Sequence, residues 1–143
     1  MVTPGTFNQT SSNINHLKTI TANSPTIRII SGVCALLFFA FAAVQYNDPD
    51  SFSWIFLYTY VAVMATLAAF NYYNPSLLIP GIAIFALYFL YLIPEIAAWL
   101  GSEDDLVGGT MSDDKMYIER SREAFGLLIG LGVLFFLFFT RHR

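Results

Sequence analysis

Apolar residues dominate this chain in four long runs, and a short polar segment separates each run from the next. None of the runs contains Lys, Arg or Asp, and each approaches the length that a helix needs to cross roughly 30 Å of hydrocarbon. The runs are continuously apolar rather than alternating apolar with polar residues, so they predict helices and not the strands of a membrane barrel. The predicted spans are residues 29–46, 52–73, 77–100 and 125–140.

Composition supports an integral membrane protein. Hydrophobic residues make up 56% of the 143 positions and charged residues only 12%, whereas about a quarter of the residues in a soluble protein are charged. The expected fold class is an all-α, four-helix membrane bundle with both termini on one side. The chain then divides into a polar tail at residues 1–28 and a four-span domain at residues 29–143. The tail lacks the features of a secretory signal peptide, so the first span is expected to be retained.

Residues that carry common enzyme chemistry are scarce. Cys34 is the single cysteine and excludes an internal disulfide, and His16 and His142 lie at opposite ends of the chain. No phosphate-binding loop, dinucleotide fingerprint, nucleophile–base pair or nucleic-acid-binding pattern is present. We therefore expect a non-enzymatic protein with no cofactor, no assigned metal site and no nucleic-acid partner.

The distribution of basic residues predicts the orientation of the chain. Four of them flank the outer ends of the first and last spans: Lys18, Arg28, Arg141 and Arg143. The other three lie on the opposite side: Lys115, Arg120 and Arg122. Cytoplasmic flanks carry the excess of Lys and Arg. This difference of four against three predicts that both termini are cytoplasmic, and we expect the membrane to be a bacterial inner membrane.

Acidic residues collect on the side opposite the termini. Two spans separate the first loop from the third, so both loops must lie at the same membrane surface. Nine of the ten acidic residues lie there, and Glu95 follows Pro94 about a turn and a half inside the membrane. Acidic residues within a membrane segment are candidates for function.

The first loop has the sequence QYNDPD at residues 45–50. Asp48 is predicted to cap the second span, with Pro49 in its first turn and Asp50 near the positive end of the helix dipole. Trp54 and Trp99 are predicted to anchor the acidic-side ends of the second and third spans at the interface.

The fourth helix is predicted to begin before its apolar run, at an N-cap formed by Ser112. Glu119 and Glu123 then share a helix face with Gly126 and Gly130, a GxxxG pair that lets another helix approach closely. Carboxylates on such a face need Arg120, Arg122 or a bound cation as a partner. The cluster serves either as a structural cap of salt bridges or as a ligand site. Its candidate members are Asn47, Asp48, Asp50, Trp54, Glu95, Glu119, Arg122 and Glu123.

Two motifs carry a resemblance to a known family. The QYNDPD segment is followed by Trp54 and Tyr58, and the last span opens with E-R-x-R-E-x-x-G-L-L-I from residue 119. Together these resemble the transmembrane protein 220 family of small four-helix membrane proteins, over about residues 29–140. The resemblance implies the four-span fold and no reaction. Its marked positions are Asn47, Asp48, Asp50, Trp54, Glu119, Arg122 and Glu123.

Two functions fit these features. The small size and the phenylalanine-rich end of the last span favour an accessory or scaffold subunit of a larger membrane complex, respiratory or photosynthetic, with lipid and other membrane subunits as partners. The acidic cluster favours the alternative, which is binding or transport of a cation or small polar ligand on the non-cytoplasmic side.

Overall fold

Four long helices form the protein in a computed structural model that describes residues 24–47, 50–103, 106 and 115–141. The helices are α1 (Pro25–Val44), α2 (Ser51–Ala69), α3 (Pro75–Leu100) and α4 (Met116–Thr140), with a short 3₁₀ turn at Gln45–Asn47 after α1. Each of the four is long and apolar enough to cross a membrane, and the described residues include no strand. The predicted all-α, four-span membrane fold is confirmed.

Local sequence signals explain where the central helices end and begin. Asn71 has a φ of 62°, a left-handed conformation that terminates a helix. α2 therefore ends at Ala69, four residues before the predicted end of the span. Pro75 then occupies the first turn of α3, where a missing N–H costs nothing. The Asn74 side chain caps this helix by accepting a hydrogen bond of 3.0 Å from the backbone N–H of Ser76.

The fourth helix begins before its apolar run, as predicted from its polar entry. α4 starts at Met116 with Lys115 in the N-cap position. The predicted caps Ser112 and Asp48 lie outside the described residues, as does Pro49. The acidic pair at residues 113–114 is outside them too.

The helices form two antiparallel pairs. Near the start of α1, Arg28 Nε donates a 2.9 Å hydrogen bond to the carbonyl oxygen of Ala69, at the end of α2. Near the start of α4, the Ser121 hydroxyl donates a 3.1 Å bond to the carbonyl oxygen of Glu95, close to the end of α3. α2 also packs against α4 and joins the two pairs. The start of α1 and the end of α4 therefore lie at the same end of the bundle.

Two glycines of α4 lie against aromatic side chains from neighbouring helices. A Cβ added at Gly126 would meet the hydroxyl of Tyr58 on α2. A Cβ added at Gly130 would lie 2.6 Å from Cε1 of Phe85 on α3 and 3.6 Å from Cε1 of Phe38 on α1. Close helix approach in a membrane depends on such small residues. These two positions let three helices converge on α4.

Candidate functional site

A polar pocket lies between α2, α3 and α4, at the end of the bundle where α4 begins. Its volume is about 440 Å³. We call it the acidic pocket, and its lining residues are Asp50, Tyr88, Tyr91, Leu92, Met116, Glu119, Arg120 and Glu123. Three carboxylates, one guanidinium and two phenol rings thus meet in one space.

The α2 wall of the acidic pocket is built from a local side-chain pair. Asp50 precedes the first turn of α2, but its carboxylate makes no capping bond to the helix backbone. It instead accepts a hydrogen bond of 3.0 Å from the indole Nε1–H of Trp54, four residues later. This spacing places the two residues on one face of the helix. The pair therefore holds the Asp50 carboxylate at the pocket.

Trp54 is a core residue and not an interfacial anchor. Its side chain is 0% exposed, and its ring stacks on Tyr88 with 5.6 Å between ring centroids and 20° between ring planes. This burial contradicts the predicted placement of Trp54 among lipid headgroups. Trp99 is half-buried and packs edge-on against Phe125 of α4, with 6.0 Å between centroids. Tertiary packing therefore holds both rings against neighbouring helices.

The α4 wall of the acidic pocket brings two further carboxylates to Asp50. Glu123 interacts with the Trp54 side chain and lies within electrostatic reach of Asp50 and Glu119. Both glutamates are half-buried at the edge of the inward face of α4. The buried residues of that face are Ile118, Ser121, Ala124, Leu127, Gly130, Leu134 and Leu137. The predicted cluster of Asp50 with Glu119 and Glu123 therefore forms at the edge of the bundle core.

Glu95 joins this site through an arginine. Arg120 Nη1 lies 3.1 Å from Glu95 Oε1, so the two side chains form an ion pair. The pair is partly exposed, with 37% of the Arg120 side chain and 29% of the Glu95 side chain accessible. Arg120 also interacts with Tyr91. The guanidinium thus lies between Glu95 and the acidic pocket, as the expected partner of an intramembrane acid.

Two predicted members of the cluster lie elsewhere. Arg122 is not part of the pocket lining, and its Nε donates a 2.6 Å hydrogen bond to the carbonyl oxygen of Leu106. Asn47 is exposed at the end of the 3₁₀ turn and does not line the acidic pocket. Asp48 is outside the described residues. The structure therefore brings Asp50, Trp54, Glu119 and Glu123 together.

Sequence reasoning predicted Glu95 but missed Tyr88, Tyr91 and Ser121. Tyr88, Tyr91 and Glu95 follow one another at spacings of three and four residues on α3, which places them along one helix face. That spacing was the signal for the tyrosines. Ser121, which bonds to the Glu95 carbonyl, carried no comparable signal because a single serine in a helix is common.

The side chains of the acidic pocket can attract a cationic group. Within the described ranges, no group of three His, Cys, Asp or Glu side chains is arranged to hold a metal ion. Carboxylates form strong charge-assisted hydrogen bonds with cationic donors. Aromatic faces attract a cation through the quadrupole of the ring. The acidic pocket combines both kinds of group.

Comparison with known proteins supports the resemblance found in the sequence. A family model described as "Transmembrane family 220, helix" matches residues 37–139. The match covers well over half of the 143-residue chain and includes all of α2 and α3 and the site residues of α4. No curated protein matches the chain, and no solved structure matches it. The chain belongs to transmembrane family 220.

Proposed function

We propose that the protein is a non-enzymatic membrane protein whose acidic pocket binds a small organic cation, such as a compound with an ammonium group. The observation that carries this proposal is the convergence of Asp50, Glu119 and Glu123 with two tyrosines around a space of about 440 Å³. Ligand pockets in proteins commonly enclose about 300 to 1,000 Å³. The space therefore has the size of a small-molecule site.

Charge balance supports a cationic ligand. The ion pair found in the described part of the chain joins Arg120 to Glu95, so this guanidinium is already engaged by a carboxylate outside the pocket lining. Glu119 and Glu123 are half-buried and close enough to repel each other electrostatically. Burying carboxylates close to one another is costly. A bound ammonium group would offset this repulsion and lower the free energy of the site.

The tyrosines supply the second element of recognition. Tyr88 is held by stacking on Trp54, and Tyr91 lies beside it, with 6.3 Å between their ring centroids. A cation over such a ring gains about 0.5 to 2 kcal/mol, depending on how far it is desolvated. Because aromatic faces favour weakly hydrated organic cations, we expect these over Na⁺ or Mg²⁺.

A binding titration tests this proposal. The purified full-length protein in detergent would be titrated by calorimetry with choline and with putrescine, using sodium chloride at matched ionic strength as the reference. We expect at least one organic cation to bind. Removal of a charged partner costs about 1.5 to 3 kcal/mol, so Glu123→Gln should weaken binding by about tenfold or more. Glu103→Gln is the matched control, because Glu103 is an exposed acid at the same end of the bundle that does not line the pocket.

Several outcomes would contradict cation binding at this site. The proposal would be rejected if neither choline nor putrescine produced heat above the sodium reference. Equal losses for Glu123→Gln and Glu103→Gln would show nonspecific attraction to an acidic surface. Calcium binding with the stoichiometry and affinity of choline would indicate a metal site instead.

The side of the membrane on which the pocket opens is part of the proposal. The small excess of basic residues at the two termini supports a cytoplasmic location for both ends, in a bacterial inner membrane. The acidic pocket would then open on the non-cytoplasmic side. Labelling a single cysteine introduced at Ser102 in whole cells tests this orientation, with Cys34→Ser as the background. A membrane-impermeant maleimide should react with intact cells.

A second candidate function is an accessory subunit of a larger respiratory or photosynthetic complex. The observation that favours it is the aromatic end of α4, where Phe135 stacks on Phe139 with 6.2 Å between ring centroids. Both rings are exposed, and the cores of protein interfaces are enriched in aromatic residues. Blue native electrophoresis of membranes solubilised in a mild detergent should then show the protein at a mass well above its monomer. Phe139→Ala should reduce that assembly.

A further inference from the structure

We infer that the acidic pocket selects a doubly charged organic cation, such as a short diamine, and that Glu95 sets this selectivity from outside the pocket. This role of Glu95 rests on the proposed function of the pocket and narrows the class of its ligand. The lining contains three carboxylates, from Asp50 before α2 and from Glu119 and Glu123 on α4, and one guanidinium, from Arg120. The charge that a ligand meets therefore depends on which carboxylate holds the arginine.

Arg120 is held on the α3 side of the pocket. Its Nη1 lies 3.1 Å from Oε1 of Glu95, which does not line the pocket. The guanidinium also interacts with Tyr91, about one turn earlier on α3. The Ser121 hydroxyl donates a 3.1 Å hydrogen bond to the carbonyl oxygen of Glu95, which holds the backbone at Glu95 against the turn of α4 that carries Arg120. Glu95 is therefore a positioning residue that acts on the pocket through Arg120.

A carboxylate of the pocket lies close enough to take Arg120 from Glu95. Arg120 and Glu123 are three residues apart on α4, a spacing that makes two side chains neighbours on a helix, and they lie within electrostatic reach of each other. The pair of Arg120 with Glu95 is partly exposed, and such pairs are weak. Loss of the Glu95 charge should therefore turn the guanidinium toward Glu123. It would then replace one positive charge of the ligand.

The charge of the lining favours a ligand with two positive charges. While Arg120 is paired with Glu95, the pocket presents three carboxylates to a ligand. One ammonium group would neutralise a single carboxylate and leave the other two to repel each other, which is costly in a partly buried site. Glu119 and Glu123 are four residues apart, or about 6 Å along a helix. The two amino groups of a short diamine can therefore each meet a carboxylate.

Calorimetry with two amines of the same chain length tests the inference. The full-length protein in detergent would be titrated with putrescine and with n-butylamine, which differ by one amino group. We expect putrescine to bind about tenfold more tightly, the ratio expected for one further charge-assisted contact. Glu95→Gln should reduce this ratio to about twofold, a change that matches the strength of a partly exposed ion pair. Glu103→Gln is the matched control and should leave the ratio close to tenfold, because Glu103 is an exposed acid outside the pocket lining.

Removal of Arg120 separates the positioning of this arginine from a general effect of charge. Arg120→Gln should leave the ratio unchanged in the wild-type background and restore it to about tenfold in the Glu95→Gln background. An equal change in both backgrounds would indicate long-range attraction alone and would overturn the inference. Equal affinities of the two amines for the wild-type protein would also overturn it, while leaving the proposed cation site in place. Absence of binding by either amine would reject the inference and the proposed function together.

The position of Arg120 can also be measured without a ligand. Arg120→Gln and Glu123→Gln would be introduced singly and together, and their coupling in the free energy of unfolding would be determined. This coupling should be larger in the Glu95→Gln background than in the wild-type protein, because the released guanidinium pairs with Glu123. Circular dichroism and size-exclusion chromatography would verify that each variant is folded. An unchanged coupling in folded variants would contradict the role of Glu95.

Discussion

The close packing of Gly130 against Phe85 offers a sharp test of the structure. Gly130→Ala adds one methyl group on α4, and the matched substitution Gly132→Ala adds the same group two residues later. At Gly130 the new carbon would lie 2.6 and 3.1 Å from two ring carbons of Phe85, a residue that is 1% exposed. At Gly132 nothing lies within 4 Å of it. The two substitutions therefore differ in packing but not in chemistry.

The expected magnitude follows from two opposing effects. Replacing glycine by alanine inside a helix favours folding by about 1 kcal/mol at either position. Inserting a methyl group into a packed core typically costs about 1 to 3 kcal/mol. The propensity effect cancels when the two variants are compared. Gly130→Ala should therefore have a free energy of unfolding about 1 to 3 kcal/mol lower than that of Gly132→Ala.

Equilibrium unfolding by titration with sodium dodecyl sulfate would measure this difference. Tryptophan fluorescence is a suitable signal because Trp54 is buried in the folded bundle. Adding Phe85→Leu to Gly130→Ala should recover part of the loss, because a smaller side chain removes the clash. Equal stability of Gly130→Ala and Gly132→Ala would refute the packing of α4 against α3 described above. So would a loss at Gly130 that Phe85→Leu leaves unchanged.

Three further predictions concern polar contacts of the site. A double-mutant cycle of Glu95→Gln and Arg120→Gln should give a coupling below about 1 kcal/mol, because the pair is partly exposed; a much larger coupling would contradict this exposure. Trp54→Phe should lower stability in the same detergent titration, read by circular dichroism, by about 1 to 3 kcal/mol, because it removes the hydrogen bond to Asp50 and leaves a gap. Ser121→Ala should lower the free energy of unfolding by about 1 kcal/mol, because the Glu95 carbonyl loses a donor. Ser121→Thr keeps the hydroxyl group and serves as the control, provided that its extra methyl group does not disturb packing.

Much of the fold could be predicted from local sequence. The four spans follow from hydropathy, because a helix in lipid must be apolar over the thickness of the bilayer. The early start of α4 followed from its polar entry. The end of α2 was predicted four residues too late, because residues 70–73 are mostly aromatic and fit the apolar pattern. The left-handed conformation of Asn71 ends the helix before them.

The candidate site could be predicted only in part. An even number of spans between loops one and three places Asp50, Glu119 and Glu123 at one end of the bundle, and the structure brings them around one pocket. Sequence could not choose between Arg120 and Arg122 as the partner of the acids. The two positions are about 200° apart around the helix, so the rotation of α4 alone decides which of them faces Glu95.

The sequence by itself determined the number, order and approximate length of the spans, and which loops share a membrane surface. These properties depend on the free energy of transferring each segment from water to lipid. The composition of a segment sets that free energy independently of the other helices. Tertiary structure alone decided that Trp54 points into the core and that Arg122 lies beside Phe125 and Ile129 and not in the acidic pocket. The interior of the bundle and the lipid around it are equally apolar, so hydropathy does not select which face of a helix turns inward. Packing of small residues such as Gly126 and Gly130 against aromatic side chains makes that selection.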